Sequence, residues 1–202
     1  MIIYDDIKQR SEEWFALRIG RITSTRIKDL VGGKSSTVEN LCLKIAAEKL
    51  TGVSSDNLFT TTKAMQHGID TETEARREYE LATLNNVIEV GFCSIGDLFG
   101  VSPDGLIRDR GMVEIKCPQP NTHLGYLLKN GTAWKSHEHQ IQGSLWVTGY
   151  EWCDFVSYHP DFPVDKKLLI EHVVRDEDYM SELVAKADKA EKRINEIIEA
   201  VK

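Results

Sequence analysis

Asp104, Glu114 and Lys116 form the group of residues best suited to chemistry in this sequence. Asp104 belongs to a Pro-Asp-Gly turn between two predicted strands, and Glu114 and Lys116 lie two residues apart on the second of these strands. Side chains on a strand alternate between its two faces, so Glu114 and Lys116 point to one side while Ile115 points into the core. If the two strands pair, Asp104 meets the same side.

Two carboxylates that converge on one point repel each other unless a cation neutralises them, and their hard oxygen atoms suit Mg²⁺ or Mn²⁺ better than zinc. A neighbouring lysine can hold the attacking water or stabilise negative charge on a phosphoryl group. The three residues together predict metal-assisted phosphodiester cleavage. An ordinary alternative stays open at this point, because Pro-Asp-Gly turns are common and Glu-x-Lys is typical of a solvent-exposed strand.

The elements that must position these residues are a mixture of helices and strands. Hydrophobic spacing and capping residues predict helices at 11–19, from 23–25 onward, at 38–50, 66–84 and 134–148, and at the C-terminus at about 176–201. Short β-rich segments predict strands at 87–90, 92–95, 99–101, 112–115, 152–158 and 167–174. We expect an α/β (α+β) fold in which residues 1–202 form a single domain.

Composition sets limits on the class of protein. The chain has 202 residues, 41% of them hydrophobic and 28% charged, which is typical of a folded globular protein. It has neither a membrane-spanning run nor a signal-peptide pattern, so we expect a cytoplasmic location and no membrane partner. The four cysteines lack zinc-site spacing and are expected to be free thiols. The net charge of −7 argues only weakly against DNA binding, because bound cations reverse the field around a cluster of acids.

Five motifs occur in order along most of the chain. They are LRIGRITST (17–25), GIDTETEA (68–75), SPDG (102–105), EIKCP (114–118) and QIQGSLWVT (140–148). With these motifs the sequence resembles the lambda-exonuclease-like, YqaJ-type viral recombinase nucleases of the PD-(D/E)xK superfamily. The resemblance implies a restriction-endonuclease-like fold, with a central mixed β-sheet flanked by helices.

The resemblance also implies a role for each residue of the metal site. Asp104 would bind and bridge two Mg²⁺ ions, for which Mn²⁺ can substitute. Glu114 and the backbone carbonyl of Ile115 would bind one of them, and Lys116 would position or activate the water. Glu72, in the helical G-x-x-x-E motif, would support the site through water. Without that motif, Glu72 would be interpreted as a solvated helical carboxylate.

A second group of residues matches the family's pocket for the terminal 5′-phosphate of DNA. A guanidinium and hydroxyl groups at the start of a helix are suitable ligands for a phosphate. Two glutamines in the last motif lie about 200° apart on a helix, so only one of them can face the site, and we favour the first. The predicted pocket consists of Arg18, Thr23, Thr25, Ser102 and Gln140.

The function implied by the resemblance is 5′-to-3′ exonuclease action on double-stranded DNA ends, releasing 5′ mononucleotides and leaving 3′ single strands for single-strand-annealing recombination. The resemblance further implies a homotrimeric ring, a phage single-strand annealing protein as partner, and a phage or prophage source in a bacterial host. Two alternatives remain, a structure-selective endonuclease of the same superfamily and a non-catalytic DNA-binding protein. A structural metal-binding protein would leave Lys116 unexplained.

Overall fold

The structure is a computed structural model that describes residues 1–55, 63–108 and 110–202. The helices are α1 Glu12–Arg18, α2 Ser24–Val31, α3 Ser35–Thr51, α4 Lys63–Thr83, α5 Pro120–Leu127, α6 Glu138–Thr148 and α7 Glu177–Glu199, and a 3₁₀ turn spans Ala133–His137. The strands are β1 Ile2–Tyr4, β2 Ile22–Thr23, β3 Phe92–Ile95, β4 Phe99–Val101, β5 Gly105–Ile107, β6 Gly111–Lys116, β7 Trp152–Tyr158 and β8 Leu168–Val174. These elements confirm the predicted α+β class.

The strands form two four-stranded sheets, where the resemblance implied one central sheet. The first sheet has the order β1-β3-β4-β2 and the second has the order β5-β6-β7-β8. Both are mixed, because β2 pairs parallel with β4 and β6 pairs parallel with β7 while the other pairs are antiparallel. The chain leaves the first sheet after Val101 and enters the second at Gly105. Asp104 therefore lies at the junction of the two sheets.

Four short elements were not predicted, and one predicted strand is absent among the residues that the structure describes. The unpredicted elements are β1, β2, β5 and α5. In place of the predicted strand at 87–90, the structure has a single bridge between Ile88 and Leu106. Segments of two or three residues carry too little periodicity to be recognised, and their partners are distant in sequence. The long helices and the strands β3, β4, β6, β7 and β8 match the prediction closely.

Strand β6 contributes side chains to both sides of the second sheet. Val113 and Ile115 pack with Ala75 and Tyr79 of α4 in one hydrophobic cluster. Met112 belongs to the larger core on the other side. Because side chains alternate along a strand, Glu114 and Lys116 share the face of Met112. The strand therefore directs Glu114 and Lys116 to the face opposite the one that carries Val113 and Ile115.

Helix α7 confirms the predicted C-terminal helix and closes the core. Asp176 caps its first turn by accepting a hydrogen bond from the backbone N–H of Tyr179 at 3.0 Å. Its buried stripe packs against α2 and α3 and consists of Met180, Leu183, Ala187, Ala190 and Ile194. All four cysteines are free, as expected. No helix in the described parts of the chain is long and apolar enough to cross a membrane.

Gly91 is predicted to be essential for packing the N-terminal segment near the junction of the sheets. Its N–H donates to the carbonyl of Tyr4 at 3.0 Å, and its carbonyl accepts a hydrogen bond from Nε1 of Trp14 at 3.0 Å. A Cβ at this position would lie 1.9 Å from the carbonyl oxygen of Ile7. We expect Gly91→Ala to lower the free energy of unfolding by about 1–3 kcal/mol in urea titrations.

Gly125→Ala provides the matched control for this substitution. No atom outside its own helix backbone lies within 4 Å of a Cβ built at Gly125 in α5. We expect its free energy of unfolding to be equal to that of the wild type or higher by about 0.5–1 kcal/mol, because alanine favours the helix. Equal urea midpoints for Gly91→Ala and the wild type would contradict the close packing at Gly91.

Candidate active site

The pairing of β5 with β6 brings Asp104, Glu114 and Lys116 together. Gly105 lies opposite Val113 in this pair, and Oδ2 of Asp104 accepts a hydrogen bond from the backbone N–H of Ile115 at 2.7 Å. The ammonium of Lys116 forms an ion pair with Oε1 of Glu114. Glu114 and Lys116 share one face of β6, as the alternation of side chains predicts. The predicted strands at 99–101 and 112–115 do not pair with each other, because β4 and β6 lie in different sheets, and the unpredicted strand β5 brings Asp104 to β6.

Glu72 joins this cluster from α4. It lines a cavity of about 330 Å³ together with Asp104, Ile115 and Lys116. Arg76, one helical turn further along α4, donates to Oε1 of Glu72 at 3.1 Å and also pairs with Glu89. Arg76 was not predicted as a site residue, yet it fixes the position of the Glu72 carboxylate.

The electrostatic environment of the cluster favours a bound cation. Burial raises the pKa of Glu114 to about 7; Lys116 partly offsets this shift, and repulsion from Asp104 adds to it. Burial also raises the pKa of Asp104 and the pKa of Glu72. The negative charge of Asp104 raises the pKa of Glu72 further. Burial lowers the pKa of Lys116, but the neighbouring carboxylates outweigh this effect and raise it overall. Lys116 is therefore charged at neutral pH, while burial disfavours the ionised carboxylates, which a bound cation would stabilise.

The donor atoms fit a hard divalent metal ion. Asp104 and Glu114 offer carboxylate oxygens, and Ile115, which follows Glu114 on β6, offers a backbone carbonyl. Among the residues that the structure describes, no three His, Cys, Asp or Glu side chains are arranged to hold a metal ion by themselves. A metal ion at this point would therefore complete its coordination with the carbonyl, water or substrate oxygens.

Three of the residues predicted to bind phosphate lie at the start of α2 and on α6, and one of them contacts Glu114. The hydroxyls of Thr23 and Thr25 are 3.3 Å apart at the start of α2. Thr25 and Gln140 line a second cavity, of about 200 Å³. Nε2 of Gln140 donates to Oε1 of Glu114 at 2.5 Å, whereas Gln142 is buried and donates to the carbonyl of Val174 at 3.0 Å. Gln140 is thus the glutamine that faces the site.

Trp14 connects the other two predicted phosphate ligands. Its Nε1 donates to Oγ of Ser102 at 2.8 Å, and the guanidinium carbon of Arg18 lies 4.2 Å from the centre of its ring. Trp14 thus occupies a bridging position between Ser102 and Arg18. The pairing of Thr23 with Gly100 places the start of α2 next to the end of β4, from which Ser102 follows. The two parts of the predicted pocket therefore adjoin.

The YqaJ-like viral recombinase domain model matches residues 13–151, which include every predicted site residue. The chain belongs to this family. Its structure is similar to that of an alkaline exonuclease, LHK-Exo, from Laribacter hongkongensis, with 34% sequence identity, coverage of 95% of this chain and 96% of that chain, and a TM-score of 0.83. The structure of LHK-Exo in complex with dAMP gives the same values.

A phage-related exonuclease from Haemophilus somnus 129PT shares the fold at 13% identity, with a TM-score of 0.73 and coverage of 92% of this chain and 98% of that chain. No curated protein matches the sequence significantly. The family match and the similarity to LHK-Exo cover the same strands and helices that carry the carboxylate cluster. The comparisons thus confirm the family recognised in the sequence and the class of fold expected from it.

Glu48 is a supporting residue of this YqaJ-like protein that the sequence did not reveal. It is 1% exposed and accepts hydrogen bonds from the guanidinium of Arg26 at 2.7 and 3.0 Å and from the N–H of Gly20 at 2.9 Å. The N–H and hydroxyl of Ser55 also donate to it, at 2.9 and 2.6 Å. Glu48 therefore ties the segment between α1 and α2, which carries Thr23, to α3.

Tyr126 and His137 form a wall between the two cavities of the YqaJ-like site. The hydroxyl of Tyr126 and Nε2 of His137 are 2.8 Å apart, and the imidazole stacks on Phe155 with ring centres 5.3 Å apart. Burial lowers the pKa of His137 to about 4, and the positive charge of Lys116 contributes. His137 is therefore neutral at pH 7. No signal in the sequence indicated this pair, because α5 was not predicted.

Proposed function

We propose that this protein is a Mg²⁺-dependent 5′-to-3′ exonuclease of double-stranded DNA that releases 5′ mononucleotides and leaves 3′ single strands for single-strand-annealing recombination. The observation that carries the proposal is the contact of Gln140 with Glu114, which joins the carboxylate cluster to the cavity at the start of α2. Membership of the YqaJ-like family supports recombination as the setting. The similarity to LHK-Exo, for which a dAMP complex exists, supports a nucleotide monophosphate as product.

In the proposed mechanism, Asp104, Glu114 and the carbonyl of Ile115 would hold two Mg²⁺ ions, or Mn²⁺ in their place. When bound, these ions supply Lewis-acid polarisation of the phosphoryl oxygens and a water of lowered pKa. The hydrogen bond from the N–H of Ile115 fixes the Asp104 carboxylate before substrate binds. The ammonium of Lys116 positions the attacking water and stabilises negative charge on the phosphoryl group. Glu72, held by Arg76, orients water at the edge of the cluster.

The proposed terminal-phosphate pocket explains why the enzyme would start at DNA ends. The first N–H groups of α2 point toward its N-terminus, where Thr23 makes no capping hydrogen bond through its side chain. Such groups favour a phosphate, together with the hydroxyls of Thr25 and Ser102 and the amide of Gln140. Arg18 adds a planar guanidinium. A DNA end held here would present the adjacent phosphodiester to Lys116.

We also propose the biological setting that the family suggests. The chain acts as a single nuclease domain that assembles into a homotrimeric ring around the DNA. Such a ring retains the DNA by topology and lessens the need for a strongly basic surface, which suits a chain with a net charge of −7. Its partner is a phage single-strand annealing protein, and its location is the cytoplasm of a bacterium that carries the phage or prophage.

Arg18→Ala tests the proposed end recognition. We expect the wild type to degrade 5′-phosphorylated duplex faster than 5′-hydroxyl duplex. Loss of one charge-assisted interaction should lower the rate on the phosphorylated substrate by about 10- to 100-fold. The rate on the 5′-hydroxyl duplex should change little, so the preference should largely disappear. The measurement is release of nucleotides from the two substrates under single-turnover conditions.

Arg193→Ala serves as the control, because it removes one positive charge from an exposed ion pair with Glu39 on the α3–α7 side of the molecule. We expect it to keep the preference of the wild type. Equal wild-type rates on both duplexes would contradict the proposed pocket. Cleavage of closed circular DNA would identify the endonuclease alternative instead.

A further inference from the structure

Arg10 adopts a backbone conformation that arginine rarely takes. Its φ is +70°, at the third position of a turn closed by a hydrogen bond of 3.1 Å from the N–H of Ser11 to the carbonyl of Lys8. A positive φ at this position characterises a type II turn, which favours glycine or asparagine. Other residues are destabilised in the left-handed region. Stability of the fold therefore does not explain why an arginine stands here.

The turn is fixed to the segment that carries Asp104. Nε2 of Gln9 donates to the carbonyl of Val90 at 3.0 Å and to the carbonyl of Pro103 at 3.1 Å. Pro103 immediately precedes Asp104, so the backbone of Arg10 keeps a defined position relative to the carboxylate cluster. The side chain is thus presented to the site by an anchored turn.

Arg10 lines the cavities on both sides of the acidic pair formed by Glu72 and Asp104. One cavity has a volume of about 480 Å³ and the other about 330 Å³. The positive charge of Arg10 lowers the pKa of both carboxylates, which opposes the increase caused by their burial. Within the described parts of the chain, the guanidinium of Arg10 makes neither a hydrogen bond nor an ion pair. Arg76, which lines the first cavity too, is already paired with Glu72.

We propose that Arg10 binds a backbone phosphate of the DNA substrate at the edge of the active site. The guanidinium offers a planar fork of donors that matches a phosphate, and here this fork is accessible to a ligand. None of the residues proposed to bind the terminal phosphate lines either of the two cavities that Arg10 lines, so the phosphate in question differs from the terminal one. A cation at this wall also offsets the repulsion between DNA and the acidic cluster. The inference rests on the proposed function in taking DNA as the substrate.

Arg10→Gly tests whether Arg10 acts in binding of DNA or in stability of the fold. We expect duplex binding, measured by fluorescence anisotropy in EDTA over a range of NaCl concentrations, to weaken about tenfold at 0.1 M salt. The slope of the logarithm of the association constant against the logarithm of the NaCl concentration is negative, and its magnitude should decrease by about 0.9, the value for one phosphate contact. In turnover with Mg²⁺, KM should rise about tenfold on 5′-phosphorylated and 5′-hydroxyl duplexes alike, leaving the preference intact. The melting temperature should equal or exceed that of the wild type, because the strained backbone is relieved.

Two further variants complete the test. Arg10→Lys keeps the charge and should keep the salt slope. Leu84→Gly is the control for backbone strain, because Leu84 has a φ of +60° and is 90% exposed at the end of α4. It should resemble Arg10→Gly in melting temperature and the wild type in DNA binding.

The possible outcomes separate the two proposals. If Arg10→Gly keeps the wild-type salt slope and KM, or if it lowers the melting temperature while DNA binding is unchanged, Arg10 has a structural role and the inference is wrong. If the wild type binds duplex with a slope that depends on Arg10 but does not degrade it, the exonuclease proposal fails while the phosphate contact stands. Failure of the wild type to bind duplex at any salt concentration would overturn both.

Discussion

Replacement of Asp104 by asparagine is expected to lower the rate of DNA cleavage by at least ~10³-fold while leaving the protein folded. The substitution removes a charged metal ligand at the centre of the proposed site. It retains an oxygen that can accept the hydrogen bond from the N–H of Ile115, which holds residue 104 in place. The loss should therefore lie in the chemical step, and single-turnover degradation of linear duplex with Mg²⁺ measures it.

The stability of Asp104→Asn provides an independent check. The pKa of Asp104 is raised in the folded protein, so its ionised form destabilises the metal-free fold at neutral pH. Asparagine removes this effect, and the urea midpoint in EDTA should equal or exceed that of the wild type. Asp70→Asn, on the exposed side of α4 near Glu72, is the control and should keep full activity. Wild-type rates for Asp104→Asn would exclude residue 104 as a metal ligand.

Glu48→Gln is expected to reduce the free energy of unfolding by about 3–5 kcal/mol at pH 7. The carboxylate of Glu48 is 1% exposed and accepts hydrogen bonds from the guanidinium of Arg26, the N–H of Gly20, and the N–H and hydroxyl of Ser55. A glutamine would place an NH₂ group against one of these donors and remove the negative charge that pairs with the Arg26 guanidinium. Because folded domains are stabilised by only about 5–15 kcal/mol, this loss is a large fraction of the total.

The same carboxylate should make the protein sensitive to acid. Burial raises the pKa of Glu48, but the hydrogen bonds from Arg26 and Ser55 outweigh burial and lower it to about 2. In the unfolded chain a glutamate has a pKa of about 4.3. The stabilisation is therefore complete above about pH 4.3 and is lost as the pH falls toward 2. Urea titrations of the wild type and Glu48→Gln should converge over this range.

Glu39→Gln is the matched control for Glu48→Gln. Glu39 lies on the same helix and also pairs with an arginine, Arg193, at 2.6 Å, but the pair is exposed. Exposed pairs contribute about 0–1 kcal/mol, so the expected loss is small. If both glutamines destabilise the protein equally, burial of the Glu48 ion pair has no special role in holding α1, α2 and α3 together.

The sequence contained enough information to predict the centre of the site. The two-residue period of a strand placed Glu114 and Lys116 on one face of β6. Asp104 was expected to reach this face through pairing of the strands at 99–101 and 112–115, whereas the unpredicted strand β5 makes the contact. The helical angle between Gln140 and Gln142 left room for only one of them at the site, and the structure directs Gln140 there. These predictions rest on local geometry, which a short segment determines by itself.

The remaining features depend on contacts between distant segments. Trp14 reaches Ser102 across 88 residues, and Glu48 reaches Gly20 across 28, so neither role follows from local periodicity. Division of the strands into two sheets depends on β1, β2 and β5, which have only two or three residues each. The conformation of Arg10 is set by a turn anchored through Gln9. Tertiary packing decides such features, and hydrophobic periodicity does not report it.

The most direct test of the proposed function follows the two strands of a linear duplex separately. Wild-type protein is incubated with 5′-phosphorylated duplex that carries distinct labels near the 5′ and 3′ ends of each strand, with Mg²⁺ or with EDTA. We predict that mononucleotides from the 5′ ends appear first, only with Mg²⁺, and that the 3′ labels persist in single-stranded products. Release of the 3′ labels first, internal cleavage, or equal degradation in EDTA would contradict a metal-dependent 5′-to-3′ exonuclease.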